Sequence, residues 1–415
     1  MTATLALPTI ETFRNRVFHG DAETLLRSLP ANNVHCIVTS PPYFGLRRYL
    51  SDDDPNKAAE IGLEESPDRY VARLVNLFRL ARRALRDDGV MWVNMGDSYS
   101  AGGGFWQGPP SNVSSLSGLR AEKTTPYKGR KPADGLKPKD LIGVPWRLAL
   151  ALQADGWWLR SEVTWCKTSP MPESVTDRPA NATEKVFLFA KSERYFYDAE
   201  AVRVKASENS HGGGIPYSPR DPMSQRQRTV GTTPNLRNLW NYWLITPEPN
   251  RFPHFAAFPQ ALITPMILAG CPAQVCATCG KGYAWEVERE RGDRLDHTTP
   301  KKESMGTNDG KGRSSHPPGW RKMQPDSLLS SFRPACTCPQ ETPPGKGIVV
   351  DPFMGSGTTA LVARKLGRDW IGAELNAEYV TITAERLRLP FEDHHWQPEA
   401  PSMDDLPLFA IAGQP

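Results

Sequence analysis

The chain has 415 residues, 39% of them hydrophobic, which suffices for one large domain with insertions or for two to three domains and excludes a small stapled scaffold. Lysine and arginine number 50 against 46 aspartates and glutamates, so the net charge of +4 permits a polyanionic partner without requiring one. The cysteine count is odd, seven, and five of them lie between Cys271 and Cys338, which does not suggest a secreted disulfide framework. With no signal-like N-terminus and no apolar run of about 20 residues, we expect a protein of the reducing cytoplasm without a membrane span.

Short apolar runs alternate with helical patterns along the chain. Ser66 and Pro67 begin the clearest helix, whose pattern has an apolar face and ends before Gly89. Further helices are predicted at 141–154, 261–270, 358–366 and 377–387. Apolar runs rich in β-branched and aromatic residues predict strands at 34–38, 90–94, 162–166, 185–190, 347–350 and 370–373. Strands that are apolar throughout are typical of a mainly parallel sheet buried on both faces, so we expect a layered α/β fold.

Three polar stretches interrupt this alternation, at 100–138, 204–236 and 291–335. They are rich in Gly, Pro, Ser or charged residues and are predicted to be loops or insertions. Loops of that length in a compact domain are usually functional or disordered. The stretch 201–240 carries six basic residues and two acidic ones, which suits either a solvated basic loop or a surface for a polyanion.

The segment Thr39-Ser40-Pro41-Pro42-Tyr43 directly follows the predicted strand 34–38. An aromatic exocyclic amine is a poor nucleophile because its lone pair is conjugated with the ring, so hydrogen-bond acceptors must draw on its protons. The Ser40 hydroxyl and the Pro41 carbonyl can accept those protons from a loop stiffened by two prolines, and Tyr43 can stack on the base. A base in a duplex would first have to be flipped out, at a cost of a few kcal/mol. A plain Pro-Pro turn is the alternative interpretation.

A second motif, at 351–358, lies where a predicted strand ends and a helix begins, which is the ligand-binding crevice of an open α/β sheet. Its glycines, Gly355 and Gly357, let the backbone approach a ligand closely. Glu374 follows Gly357 by 17 residues, at the end of the next strand, where a carboxylate can accept both hydroxyls of a ribose. No lysine follows Gly357, which disfavours a phosphate-binding P-loop, whereas a tight turn or a dinucleotide site remains open.

Together the two motifs resemble those of the β-class DNA amino-methyltransferases, in which the catalytic tetrapeptide precedes the recognition region and the FxGxG motif follows it. The resemblance covers residues 15–270 and 346–390 and implies a Rossmann-like, seven-stranded, S-adenosylmethionine-dependent methyltransferase sheet with loop insertions. It implies that Asp21 contacts the adenine of the cofactor and that Phe255, Phe258 and Pro259 line its methionine end. The implied catalytic residues are Ser40, Pro41, Pro42 and Tyr43. The implied cofactor-binding residues are Asp21, Asp351, Phe353, Gly355, Gly357, Thr358 and Glu374.

The serine of the tetrapeptide bears on the target base. Members of this class with Ser-Pro-Pro-Tyr mostly methylate cytosine N4, whereas Asp or Asn in that position usually marks adenine N6, so Ser40 favours cytosine N4 with adenine N6 as the alternative. The chain has Thr183-Glu184 where many relatives have His-Glu, which leaves the role of that position open. Carbon-5 methylation needs a cysteine nucleophile, usually in a Pro-Cys pair, and the sequence contains no such dipeptide.

Two close cysteine pairs suit a tetrahedral structural zinc ion. Cys276 and Cys279 are separated from Cys336 and Cys338 by 56 residues, and reduced thiols without metal are the alternative. Cys271 is a fifth candidate, while Cys36 and Cys166 fall in predicted strands. A metal would explain how a long polar insertion is anchored without a core of its own, and Lys311, Arg313, Arg321 and Lys322 of that insertion could contact DNA phosphates.

These predictions divide the chain into a catalytic domain, 1–270 and 346–415, and a cysteine-rich insertion, 271–345, with 199–245 as the candidate target-recognition region. The expected partner is double-stranded DNA, and a homodimer and a cognate restriction endonuclease are further partners that such a protein can have. Two other classes remain open at this point. One is an enzyme of the same fold that methylates an RNA base or a protein amide, and the other is an inactive, zinc-bearing DNA-binding protein.

Overall fold

The computed structural model describes residues 9–46, 48–100, 135–205, 236–248, 258–289, 328–340 and 342–390. Its strands are β1 (Arg16–His19), β2 (Val34–Thr39), β3 (Leu85–Met95), β4 (Trp158–Lys167), β5 (Thr183–Ala190), β6 (Val204–Lys205), β7 (Leu236–Arg237), β8 (Tyr242–Ile245), β9 (Tyr283–Arg289), β10 (Leu328–Pro334), β11 (Ile348–Asp351) and β12 (Asp369–Glu374). Its α-helices are α1 (Ala22–Ser28), α2 (Pro67–Ala84), α3 (Val144–Ala154), α4 (Gln260–Gly270), α5 (Thr358–Lys365) and α6 (Ala377–Leu387). Short 3₁₀ helices cover Ile10–Phe13, Lys57–Ala59 and Glu200–Val202.

A large sheet organises the described part of the chain, with strand order β1-β12-β11-β2-β3-β5-β4-β8. All neighbouring pairs are parallel except those that β5 makes with β3 and β4, so β5 alone runs against the other strands. The predicted α/β class is confirmed, and β8 adds an eighth strand at the edge beside β4. Since β2 and β11 are parallel neighbours, the segments that follow them, which carry the two sequence motifs, leave the sheet at the same edge.

Helices cover both faces of this sheet. On one face, α1, α2 and α3 pack against strand residues such as Ile37, Val93 and Val350. On the other face, α4, α5 and α6 pack against residues such as Val38, Trp92 and Val349. Because successive residues of a strand point to opposite faces, a strand apolar at every position fits between two helical layers.

The helix α2 begins as the sequence predicts, with Ser66 as its N-cap accepting a hydrogen bond from the Arg69 amide and Pro67 in its first turn. It ends earlier than predicted, at Ala84. Leu85 already belongs to β3, where it pairs with Val34. The sequence pattern is helical up to Gly89, but residues 85–88 belong to β3 because Leu85 pairs with the neighbouring strand β2.

The cysteine-rich insertion contains the antiparallel hairpin of β9 and β10. At its base Val275 and Gly345 exchange two backbone hydrogen bonds of 2.9 Å. Several sequence predictions lie outside the described residues, namely the centre of the candidate recognition region (206–235), Phe255, and the basic residues Lys311, Arg313, Arg321 and Lys322. None of the described helices is both long and apolar enough to cross a membrane.

Candidate active site

A cleft of about 1630 Å³ opens at the sheet edge where β2 and β11 end. The structure brings both sequence motifs to its walls: residues 40–43 on one side and 352–356 with Thr358 on the other. Asp21 and Glu374 also line the cleft. Asp351 and Gly357, which were also predicted to bind the cofactor, do not line the cleft and lie behind its wall.

The Ser-Pro-Pro-Tyr loop is fixed by contacts from two other segments. The Tyr70 hydroxyl of α2 donates a 2.7 Å hydrogen bond to the Pro42 carbonyl. A Cβ atom on Gly62 would lie 3.0 Å from the Tyr43 carbonyl, so the neighbouring segment packs closely beneath the loop. In the described part of the chain no hydrogen bond reaches the Pro41 carbonyl, which leaves it as an acceptor beside Ser40.

Tyr43 is the centre of a polar network that crosses three strands. Its hydroxyl donates a 2.6 Å hydrogen bond to Glu184 Oε2, and the Asn94 amide donates to both groups, at 2.9 Å to the tyrosine and 2.8 Å to the carboxylate. Lys167 lies 2.6 Å from the other carboxylate oxygen, Oε1. Burial and the adjacent Glu184 carboxylate raise the pKa of Tyr43 well above its usual value, so the phenol stays protonated and acts as a donor.

The same network orients the aromatic ring. A Cβ atom on Gly96 would lie 2.5 Å from the Tyr43 ring, so the absence of a side chain there makes room for it. Ser40 Oγ lies 3.4 Å from the Tyr43 hydroxyl. The sequence predictions did not include Glu184, Lys167 or Tyr70 in this site. Glu184 is the matching residue of the His-Glu pair found in many relatives, and it is Thr183 that departs from that pair. The available signal was this matching carboxylate, directly before the apolar part of a predicted strand.

Asp351 ties the two motifs together. One carboxylate oxygen accepts hydrogen bonds from the Thr39 hydroxyl at 2.7 Å and the Phe353 amide at 3.0 Å, and the other accepts from the Thr359 hydroxyl at 2.6 Å. Burial raises the pKa of Asp351 to about 6, while these three donors act in the opposite direction. The residue thus links β2, the glycine loop and α5.

The glycine loop turns sharply into α5. Gly355 and Gly357 both adopt positive φ, at 55° and 80°, where a side chain is disfavoured. A Cβ atom on Gly357 would lie 2.7 Å from Thr383 of α6, so space as well as conformation requires glycine there. The Thr383 hydroxyl in turn donates to the Gly355 carbonyl at 3.0 Å.

Two carboxylates of the cleft suit a ligand that carries hydroxyl and amino donors. Glu374 accepts from the Gly355 amide at 2.8 Å and from the Asn376 amide at 2.9 Å, and burial raises its pKa to about 7. Asp21 caps α1 by accepting from the amide and hydroxyl of Thr24 at 2.8 and 2.7 Å. Each carboxylate oxygen offers two lone pairs, so both side chains keep acceptor capacity towards the cleft.

The four predicted metal ligands form a separate cluster. The sulfur atoms of Cys276, Cys279, Cys336 and Cys338 all lie within 4.8 Å of one another. Cys271 is buried and is not part of this cluster, and the side chain of Arg368 donates to its carbonyl at 3.1 and 3.2 Å. None of the four clustered cysteines lines the described cleft.

Comparison with known proteins identifies the class. The N6/N4 DNA methylase family model matches residues 34–274 and 326–385, which together form most of the chain. The chain therefore belongs to this family and is a DNA amino-methyltransferase, as the two motifs predict.

Individual relatives extend over nearly the whole chain. The chain is 36% identical to the Type II methyltransferase M.Cfr9I of Citrobacter freundii, over 90% of this chain and 87% of that protein. It is 33% identical to M.SmaI of Serratia marcescens, over 90% of each chain. Among solved structures, the PvuII DNA methyltransferase (cytosine-N4-specific) aligns with a TM-score of 0.46 and 17% identity, covering 90% of this chain and 88% of that one.

Proposed function

We propose that the protein transfers a methyl group from S-adenosylmethionine to the exocyclic N4 of cytosine in double-stranded DNA. The observation that supports this most directly is the shared cleft, in which the Ser40–Tyr43 loop faces the glycine loop and Glu374. Adenine N6 is the alternative acceptor, and the serine of the tetrapeptide favours cytosine. A site-specific enzyme with Type II relatives is proposed to act beside a cognate restriction endonuclease.

The cofactor side of the cleft fits S-adenosylmethionine, which supplies an electrophilic methyl group when bound. Glu374 would accept hydrogen bonds from the ribose hydroxyls, and Asp21 would accept one from the adenine amino group. Gly355 lines the cleft and would let the backbone come close to the cofactor, while Gly357 lies behind the cleft wall and lets the chain turn into α5. Asp351 holds this turn against Thr39, so it fixes the distance between the two halves of the site.

The base side of the cleft holds the acceptor nitrogen. Ser40 Oγ and the Pro41 carbonyl would accept hydrogen bonds from the two N–H groups of the exocyclic amine, which directs the nitrogen lone pair towards the glycine loop. Methyl transfer would release S-adenosylhomocysteine, and the proton that the methylated nitrogen loses would pass to solvent. Tyr43 stacks on the flipped base, and such stacking is worth about 1–3 kcal/mol per base. Glu184 and Asn94 fix the tyrosine in this orientation. The residues do not form a covalent bond to the base, so positioning supplies much of the rate.

The catalytic domain comprises residues 1–270 and 346–415, residues 199–245 are the candidate target-recognition region, and residues 271–345 are an insertion. The four clustered cysteines hold a structural zinc ion. We place the protein in the cytoplasm and allow for a homodimer.

Expression in a bacterial host that lacks DNA methylation tests the reaction and the base together. The host DNA is digested to nucleosides and analysed by mass spectrometry against an empty-vector control. N4-methylcytosine is the expected product. N6-methyladenine would show that adenine, the alternative, is the methylated base. If the host DNA contained neither modified base, the proposed DNA activity would be refuted. Ser40→Ala is expected to reduce methylation while cofactor affinity stays unchanged, and undiminished methylation would remove Ser40 from the mechanism.

A further inference from the structure

The insertion contains a four-sulfur cluster in an arrangement built for a metal. Cys276 and Cys279 precede β9, and Cys336 and Cys338 follow β10, so the hairpin brings two pairs distant in sequence together at its base. Four thiolates around a zinc ion at about 2.3 Å stand about 3.8 Å apart. The sulfur atoms lie within 4.8 Å of one another, so a contraction of about 1 Å gives tetrahedral coordination.

The backbone around the first pair forms a tight turn that presents both sulfurs on one side. The Gly280 amide donates to the Cys276 carbonyl at 2.8 Å, and the Cys276 amide donates to the Lys281 carbonyl at 2.8 Å. Gly280 adopts a φ of +70°, which favours glycine. Gln340, beyond the second pair, places its Nε2 atom 3.6 Å from Cys276 Sγ and donates to the Cys338 carbonyl at 2.8 Å.

This turn is fastened to the catalytic sheet by two side chains. His35 of β2 accepts a hydrogen bond from the Ile348 amide on Nδ1 at 3.1 Å, so its Nε2 carries the proton and donates to the Gly280 carbonyl at 2.8 Å. Arg86 of β3 donates to the Cys279 carbonyl at 2.9 Å. His35 and Ile348 lie at the beginnings of β2 and β11, and the cleft lies at the C-terminal ends of the same strands.

The described side chains at the open end of the hairpin are partly exposed and belong to neither buried core cluster. They are Tyr283 and Ala284 of β9 and residues 332–334 of β10. Tyr283 and Phe332 pack on each other with ring centroids 5.6 Å apart. A two-stranded hairpin without a core is at best marginally stable in water. A metal bound at its base supplies folding free energy that such a segment cannot obtain from burial.

We propose that a structural zinc site is formed by Cys276, Cys279, Cys336 and Cys338. It clamps the insertion onto the N-terminal ends of the central strands, opposite the cleft. The metal closes the base of the hairpin, while His35 and Arg86 hold the closed turn against β2, β3 and β11. Metal occupancy therefore controls the stability of the hairpin base and leaves the cofactor side of the cleft intact. This proposal does not depend on which base is methylated, or on whether DNA is methylated at all.

Metal analysis of the full chain is the first test. The protein is purified without added chelator, and zinc is measured by plasma mass spectrometry, with about one zinc per chain expected. Replacement by Co²⁺ should give the visible absorption bands of a tetrahedral cobalt–thiolate centre. Absence of stoichiometric zinc together with absence of those bands would overturn the proposal.

Variants locate the metal. Cys279→Ser and Cys338→Ser should each lower zinc affinity by at least about tenfold, whereas Cys166→Ser, a partly buried cysteine of β4 outside the cluster, should leave it unchanged. Equal zinc retention in all three variants would overturn the assignment. Since a cluster variant could fail to fold, wild-type protein stripped of metal by chelator provides an independent sample.

Limited proteolysis and cofactor binding test the clamp itself. In the stripped protein, cleavage within 271–345 should accelerate at least about tenfold and slow again on addition of zinc, because bound metal opposes local opening. S-adenosylmethionine affinity, measured by calorimetry, should stay within about twofold. The proposal of a clamp that acts on the insertion alone would be contradicted by either of two results. One is a cleavage rate that does not change when zinc is removed, and the other is a loss of S-adenosylmethionine affinity when zinc is removed.

Discussion

Glu184 holds Tyr43 in place at the cleft wall, and we expect it to affect the reaction through this contact. One oxygen of its carboxylate accepts hydrogen bonds from Tyr43 and Asn94, and the other forms an ion pair with Lys167. Hydrogen-bond donors and the lysine charge thus stabilise the negative charge of Glu184. The network leaves the tyrosine ring a single orientation at the cleft wall. A neutral or shortened side chain at this position would release the phenol and the lysine together.

We expect Glu184→Gln to lower kcat for DNA by about tenfold or more, because hydrogen bonds to a charged group are worth about 1.5–3 kcal/mol. S-adenosylmethionine affinity should not change. Glu162→Gln is the matched control, since Glu162 pairs with Lys185 at 2.7 Å on the same two strands and with similar exposure, but outside the cleft. Single-turnover kinetics checks the prediction, and equal losses in the two variants would show that the effect comes from general damage to the sheet.

We expect Glu374 to make cofactor binding sensitive to pH. Burial raises the pKa of Glu374 to about 7, and only its carboxylate form accepts both ribose hydroxyls. Because donors of the cofactor favour the charged form, binding weakens as the pH falls through 7. The sign for stability is opposite: a raised carboxyl pKa stabilises the unliganded fold at low pH, and this contribution is lost as the pH rises towards 7.

Accordingly, the Kd for S-adenosylmethionine should increase about tenfold between pH 8 and pH 6, as expected for one proton that competes with the ligand. Calorimetric titration across this range measures the slope. Glu374→Gln should bind more weakly and lose most of the dependence, although Asp351, with a pKa of about 6, can leave a residual slope at the acidic end. A pH-independent Kd in the unmodified protein would refute the role of Glu374.

Among the secondary-structure elements, the junction between β11 and α5 is the most constrained. Gly357 has a positive φ and faces Thr383 of α6 at a distance that excludes a Cβ atom. Gly367, just after the same helix, has a similar φ of 74° but no atom within 4 Å of an added Cβ. The two glycines therefore separate the cost of backbone conformation from the cost of contact.

Gly367→Ala is expected to destabilise the protein by about 1 kcal/mol through its backbone conformation alone. Gly357→Ala should cost about 2 kcal/mol or more, and it should also weaken S-adenosylmethionine binding because α5 must move away from α6. Urea unfolding and calorimetry measure the two effects. If the two variants were destabilised equally and cofactor affinity did not change, the Thr383 side chain would have moved to make room for the new methyl group, with the glycine loop left in place.

The elements that sequence analysis identified are those whose signal is local. Six apolar runs became β2, β3, β4, β5, β11 and β12, because strands buried on both faces need apolar residues at every position. The edge strand β1 has only two apolar residues among its four. The edge strand β8 is apolar or aromatic throughout but only four residues long, and it pairs with β4, almost 80 residues earlier in the chain. Glu184 is similar, since its position near Tyr43 depends on β5 lying beside β3. The order of the two motifs, by contrast, was enough to predict the shared cleft.

At the scale of the whole molecule, the two ends of β2 carry different tasks. Thr39 leads into the Ser-Pro-Pro-Tyr loop, and His35, four residues earlier and about 13 Å away along the strand, holds the cysteine turn. The insertion enters and leaves the sheet at a single point, where Val275 and Gly345 form a hydrogen-bonded antiparallel pair. The cleft and the cysteine cluster thus lie at opposite ends of the central strands, and the sheet with its two helical layers has its own hydrophobic packing.

This arrangement predicts that the core folds without the insertion. Residues 276–344 are replaced by Asn-Gly, a two-residue hairpin turn that suits the closing pair Val275 and Gly345. His35 and Arg86 then exchange their carbonyl partners for water. The shortened chain should be soluble, should contain no zinc, and should bind S-adenosylmethionine within about threefold of the full chain, because the cofactor side of the cleft contains no residue of the insertion. Circular dichroism and calorimetry check both points, and an insoluble chain or lost cofactor binding would show that the insertion is an integral part of the catalytic fold.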